Sequence, residues 1–173
     1  GAVGVVGAAQ PLHDGRMGKR YRLEREQLIL APRSDVFEFF SKAENLQLMT
    51  PPFLSFGILT PLPIEMKRGQ LIEYRIGLGG VPMNWLTEIS EWQPPERFVD
   101  EQLRGPYRYW HHTHEFREAE GGTLMLDTVE YELPLGPLGS LAHALMVRSV
   151  LRRIFDFRRQ AVQTAFPGPG AAS

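Results

Sequence analysis

The sequence predicts an α+β fold: a curved antiparallel sheet of seven strands wrapped around a long C-terminal helix, with two short helices after the first strand. Three observations predict it. Strand-like stretches follow one another between residues 53 and 133, separated by short Gly- or Pro-bearing turns, which is the pattern of an antiparallel meander. Residues 138–166 hold no proline and carry an apolar stripe at helical period. The length of 173 residues suits one domain, and a domain near 150 residues buries about two thirds of its unfolded surface.

Taken in order, residues 21–31 are β-compatible and run into Pro32, which favours an extended residue before it. Pro32 or Ser34 then opens a helix whose stripe is Val36, Phe37, Phe40 and Ala43. Asn45 to Met49 adds one short helical turn, stopped by Thr50-Pro51-Pro52. Strands are expected at 53–60, 69–78, 81–93, 97–104, 107–118 and 123–133. Their stops are Pro61 and Pro63, Gly79-Gly80, Pro94-Pro95, Gly105-Pro106, Gly121-Gly122 and Pro134. A bent sheet closing on the final helix would bury the apolar faces of both.

The ends differ from this unit. Residues 1–20 read as a flexible N-terminal extension, Gly-rich and without amphipathic period, with Met17 as a natural start. Their glycines do not make a dinucleotide loop, because no strand precedes them and Pro11 blocks the helix that should follow. Residues 167–173 read as a flexible Pro/Gly tail, which leaves 21–166 as the single domain.

Composition narrows the function classes. Nineteen basic against 20 acidic side chains give a net charge of −1, so no basic face is expected to neutralise nucleic-acid phosphates. The chain has no cysteine, which excludes disulfides, thiolate zinc sites and a cysteine nucleophile. No apolar run approaches the roughly 18 residues of a membrane span, and no basic segment precedes a signal-like stretch. A cytoplasmic protein is expected.

Alternation along the strands sorts side chains into faces. In residues 109–118, Trp110, His112, His114 and Phe116 share a face, and the two large aromatics mark it as the inner one. Met125, Asp127, Val129, Tyr131 and Leu133 form the matching face of the next strand, which makes a His114–Asp127 hydrogen bond the expected geometry. Trp85, Thr87 and Ile89 face inward on an earlier strand, with Leu86 breaking the alternation; over residues 97–104 the period is ambiguous, and the face of Phe98, Asp100, Gln102 and Arg104 is preferred as inner to that of Val99, Glu101 and Leu103. On the long helix Val147, Val150, Leu151, Ile154, Ala161, Val162 and Ala165 cluster, with His143 and Arg158 in the same arc. Arg158 either lays its stem over apolar neighbours and reaches water, or supplies a cation inside. Leu141 and Leu145 project the other way, where they could cover residues 133–138, line a cavity mouth or make a homodimer contact. The apolar loop Pro51-Pro52-Phe53-Leu54 has the character of an entrance.

Such an inner surface carries polar groups that cost on the order of 1–3 kcal/mol each when left unpartnered. They must satisfy one another, hold water or contact a ligand. Trp85, Trp110, Tyr131 and Tyr74 would line a mostly apolar chamber with a few polar contacts, the make-up of a small-molecule site. The H-x-H spacing of His112 and His114 invites a metal reading with Asp127 or His143 as third ligand, yet such pairs without a fixed ligand pattern are mostly not metal sites; neither a metal nor a cofactor is expected. No Ser sits in a G-x-S-x-G context, so any catalysis would use His114 and Asp127 as a general base.

The element order, the Pro32-x-x-x-Val36-Phe37 motif, the stretch from Trp92 through Pro94-Pro95 to Tyr107, and Trp110-His-His-Thr-His-Glu-Phe116 resemble the SRPBCC superfamily. That group includes START lipid-transfer domains, birch-pollen-allergen proteins and polyketide cyclases or dehydrases, and the chain looks like a ligand-binding branch of it. The resemblance implies the helix-grip fold over about residues 21–166 and a small hydrophobic ligand (lipid, polyketide or aromatic metabolite) between sheet and helix. Trp85, Thr87, Asp100, Gln102, Trp110, His112, His114, Asp127, Tyr131 and Arg158 are the candidate contacts. A cyclase or dehydrase using a His/Asp base is the alternative, and a fully packed interaction module without ligand the second.

Overall fold

The computed structural model describes residues 18–169. The Gly-rich run and Met17, and the tail beyond residue 169, lie outside the described residues. The elements are β1 (Arg20–Ile29), α1 (Arg33–Ser41), α2 (Asn45–Met49), a 3₁₀ turn (Pro52–Leu54), β2 (Gly57–Ile58), β3 (Leu71–Leu78), β4 (Val81–Gln93), β5 (Arg97–Arg104), β6 (Tyr109–Ala119) and β7 (Gly122–Glu132). They are followed by α3 (Gly136–Ala142), a π turn (His143–Val147) and α4 (Arg148–Ala165). One seven-stranded antiparallel sheet runs in the order β1-β7-β6-β5-β4-β3-β2. The meander folds back hairpin by hairpin, and β1 closes onto β7. This is the helix-grip architecture.

Three departures from the expected elements have local causes. The strand expected at 53–60 shrinks to Gly57–Ile58. Pro52 lacks an N–H and starts a 3₁₀ turn, and Ser55 takes a left-handed φ of 43°, so the chain reaches β3 for only two residues. The helix expected as one piece over 138–166 begins at Gly136, widens into the π turn and ends at Ala165. Gly139 lies inside it because a Cβ there would collide with the Pro134 carbonyl oxygen, at the point where the chain leaves the sheet. Finally, β1 starts at Arg20, within the expected extension, where the guanidinium pairs with Glu132 at 2.9 Å and lies over the Tyr109 ring.

Two apolar clusters join the sheet to the helices. Phe37 and Phe40 of α1 pack with Phe98, Phe116, Met125 and Val162. Trp110, Val129 and Tyr131 pack with Leu151 and Phe155 of α4. Ala165 is exposed, so the buried stripe of α4 ends at Val162. Leu141 and Leu145 face outward, 56% and 75% exposed. No described helix is long and apolar enough to cross a membrane.

The π turn has a titratable group at its start. His143 is 8% exposed, stacks on Tyr21 at 3.5 Å between ring centroids, and its Nε2 accepts a 2.7 Å hydrogen bond from the Tyr131 hydroxyl. Burial, then the nearby Arg148 and Lys19 cations, hold its pKa below the ordinary imidazole value. A base with a depressed folded pKa contributes its full stability above the unfolded value, about 6.5, and loses it as pH falls through that value towards the folded one. The urea midpoint of the wild type should therefore drop further between pH 7.5 and 5.5 than that of His143→Gln, whose amide oxygen still accepts from Tyr131. Equal drops would show that His143 is not held neutral by the fold.

Candidate functional site

A cavity of about 240 Å³ lies between the sheet and α4, bordered also by α2 and the loop after it. Alternation supplies its sheet wall: Tyr74 and Ile76 of β3 pair with Trp85 and Met83 of β4, and Ile72 pairs with Thr87. Leu46 and Met49 of α2 and Val150, Leu151 and Ile154 of α4 supply the facing wall. Trp85 meets Trp110 edge-on with centroids 5.1 Å apart, and Tyr107 packs against both. In the Pro51–Leu54 segment, Leu54 is buried and lines the cavity.

One stretch of this wall is polar. The antiparallel register sets Asp100 opposite His112, and His114 opposite both Phe98 and Asp127. Cross-strand partners share a face, so two imidazoles and two carboxylates gather there. His112 Nε2 lies 2.9 Å from Asp127 Oδ1, and His114 Nδ1 lies 3.1 Å from the same oxygen. His114 Nε2 lies 2.6 Å from Asp100 Oδ2, and His112 Nδ1 is 3.6 Å from it. From α4, Arg158 brings its Nη2 to 3.6 Å from Asp127 Oδ1, with the guanidinium over the rings of Phe40 and Phe155. Phe98 stacks on His114 at 4.1 Å, and the Phe155 edge meets His112.

The electrostatics follow from this packing. Burial opposes ionisation of Asp127, but the Arg158 charge and the bonds from His112 and His114 outweigh it and hold the carboxyl well below its usual range. Asp100 is half-buried, with its side chain 21% exposed; its surroundings oppose ionisation, and the His112 and His114 interactions pull its pKa down. The imidazoles split. Burial and the neighbouring His114 lower His112, whereas at His114 the penalty of burial is exceeded by bonds to Asp100 and Asp127, which raise it. With both carboxylates and Arg158 charged, a single proton on His114 neutralises the cluster.

Of the residues expected to line the chamber, Trp85, Thr87, Asp100, Trp110, His112, His114 and Arg158 do so. Three others sit elsewhere. Gln102 curls towards the Gly105-Pro106 turn and bonds the backbone N–H and C=O of Tyr107, fixing that hairpin end. Asp127 stands behind the two imidazoles, and Tyr131 is engaged with His143. The expected His114–Asp127 contact forms, although His112 holds the same oxygen more closely. Arg158 turns inward: its side chain is only 12% exposed, and the Asp127 carboxylate lies within its reach inside. Tyr107 and Phe155 were not among the expected residues. Phe155 falls on the same arc as Leu151 and Arg158 at 100° per residue and was legible there, whereas Tyr107 enters only through the turn that Gln102 pins.

The profile of the family described as polyketide cyclase / dehydrase and lipid transport matches residues 29–162. No curated protein matches the sequence. Among solved structures, the ZhuI aromatase/cyclase of Streptomyces sp. R1128 superposes with a TM-score of 0.68 at 16% identity, covering 86% of this chain and 94% of that one. Protein CV1439 of Chromobacterium violaceum gives 0.64 at 14% identity, over 86% and 97% of the two chains. TTHA0849 of Thermus thermophilus gives 0.56 at 23% identity, over 85% and 99%. At these identities the likeness is one of fold. The family match spans most of the sequence, and the chain belongs to the polyketide cyclase / dehydrase and lipid transport family, in the SRPBCC superfamily.

Proposed function

We propose that this protein binds a small, largely apolar molecule carrying a hydrogen-bonding group, in the cavity between the sheet and α4. The observation that carries the reading is a largely apolar chamber of about 240 Å³ whose charged and imidazole side chains, Asp100, His112, His114 and Arg158, are gathered on one stretch of its wall. A dry cavity of roughly 150 Å³ holds a benzene-sized molecule, so this one suits a fused-ring or short-chain compound. Burying about 200 Å² of apolar ligand surface at about 25 cal/mol per Å² gives about 5 kcal/mol, which corresponds to a dissociation constant of about 0.2 mM before any polar contact is added. The imidazoles and Asp100 would orient the polar group of the ligand, and Tyr74 beside Asp100 keeps its proton because burial pushes the phenol up.

Displacement of an environment-sensitive dye, or native mass spectrometry with a panel of bicyclic aromatics and medium-chain fatty acids, tests this directly. One-to-one binding is expected; failure across the panel favours a packed module that takes no ligand. Catalysis on the bound molecule is the second reading, favoured by the 2.6 Å Asp100–His114 pair at the cavity wall, a geometry suited to moving a proton in a cyclisation or dehydration. A His114→Ala protein that keeps affinity but loses turnover would select the enzyme, and one that loses affinity would select the carrier.

A further inference from the structure

We propose that Asp100, His112 and His114 form a site for one divalent transition-metal ion, held at the cavity wall with a coordination position open to the cavity. The proposal does not depend on which organic molecule, if any, the cavity holds. It rests on how the hydrogen bonds of the two rings are shared out. Asp127, ionised beside Arg158, can only accept. Its Oδ1 lies within bonding distance of His112 Nε2 and of His114 Nδ1, and Arg158 Nη2 lies 3.3 Å from the same His114 Nδ1; with an ion on the Asp100 side, each ring would turn an N–H towards Asp127. That assignment leaves His112 Nδ1 and His114 Nε2 as the donor atoms on the other side, and both point at Asp100 Oδ2, at 3.6 and 2.6 Å. Three ligand atoms thus converge within 4.8 Å of one another.

The surroundings have what such a site requires. A histidine ligand commonly donates its second N–H to a carboxylate, which fixes tautomer and ring orientation, and here one carboxylate oxygen does this for both rings. Phe98 stacked on His114 and Phe155 against His112 hold the ring planes. Bonds of roughly 2.0–2.2 Å in a tetrahedral site put ligand atoms about 3.3–3.6 Å apart. The His112–Asp100 separation already has that value, and the His114–Asp100 contact must open by less than about 1 Å. The ion takes the place of the hydrogen between His114 Nε2 and Asp100. Two imidazoles and one carboxylate select a zinc- or iron-type ion over magnesium or calcium. All three residues line the cavity, so a ligand oxygen or water can complete the shell. The sequence alone placed Asp127 or His143 third; the fold instead sets Asp127 behind the rings and gives His143 to Tyr131.

The test titrates the full chain, stripped with chelator, with Co²⁺ and then Zn²⁺. Saturation at one equivalent is expected, with visible d–d absorption that Zn²⁺ abolishes. His112→Ala and His114→Ala should each weaken Co²⁺ binding by at least about a hundredfold, and Asp127→Asn by about ten- to a hundredfold. His111→Ala, on the opposite face of β6, should leave it unchanged. Because the buried variants can misfold, electron spin-echo modulation of the Cu²⁺-loaded wild type supplies an independent count, expected to be two imidazoles. Absence of saturable Co²⁺ binding by the wild type, unchanged binding in both alanine variants, or fewer than two imidazoles overturns the proposal. Dye binding by metal-free protein, measured alongside, keeps the fate of this site separate from that of the cavity.

Discussion

Asp127→Ala is expected to lower the free energy of unfolding by about 3–5 kcal/mol, the range for removing one partner of a buried ion pair. The substitution does more than delete a bond. It leaves the Arg158 guanidinium, 12% exposed, without its carboxylate, and it takes the shared acceptor from His112 and His114 at once. Arg158 cannot shed its proton to escape the penalty. Asp127→Asn should lose less, because the amide oxygen can still accept from an imidazole. Combining Asp127→Ala with Arg158→Leu should recover part of the loss, since the stranded charge goes with its partner. Urea unfolding at pH 7.5 measures all three. A loss under about 1 kcal/mol for Asp127→Ala would mean that water reaches the cluster freely and that the pair is a surface-like one.

Ile76→Trp is expected to weaken binding of an apolar probe by on the order of fifty- to a hundredfold while leaving the fold intact. Ile76 lies on β3 opposite Met83, is half-buried and lines the cavity. An indole there projects into the space a ligand would use. Displacing roughly 100 Å² of ligand contact at about 25 cal/mol per Å² removes about 2.5 kcal/mol of binding energy. The cavity itself accommodates the added atoms, so the overpacking penalty of about 1–3 kcal/mol seen in filled cores should not appear. Dye titration and thermal melting on the same samples separate the two effects. Full affinity in a stable Ile76→Trp protein would place the bound molecule elsewhere.

The fold was readable because its signals are local and repeated. Gly121-Gly122 marks a hairpin whose two strands pair without a register shift, so alternation alone sets His112, His114 and Asp127 on one face. The site was readable to the extent that it is a strand property. Gln102 was misassigned because its side chain answers to the turn after β5, which alternation does not describe. The choice between water and interior for Arg158 could not be made from the helix alone. It depends on Asp127 lying on β7 across the fold, a contact that no helical period encodes. Nor does spacing reveal that Asp127 serves both rings and that Asp100 faces the other nitrogens. That division comes from the relative placement of three neighbouring strands. The π turn is not legible for a similar reason: its sequence suits an ordinary helix, and the stacking of His143 on Tyr21 and its bond to Tyr131 exist only once β1 and β7 are in place.

The seam between β1 and β7 joins Arg20 to Glu132, 112 positions further along the chain. Because β7 is the sole neighbour of β1 among the described strands, the first strand of this sheet to leave a ribosome has nothing to pair with until nearly all the rest has been made. At about 5–20 residues per second that wait is on the order of ten seconds, far longer than hairpin formation in about 1–10 μs. The meander from β3 to β7 can therefore zip up during synthesis, while the opening segment stays available to chaperones or to a neighbouring nascent chain. Order of birth makes the earliest strand the last to be seated.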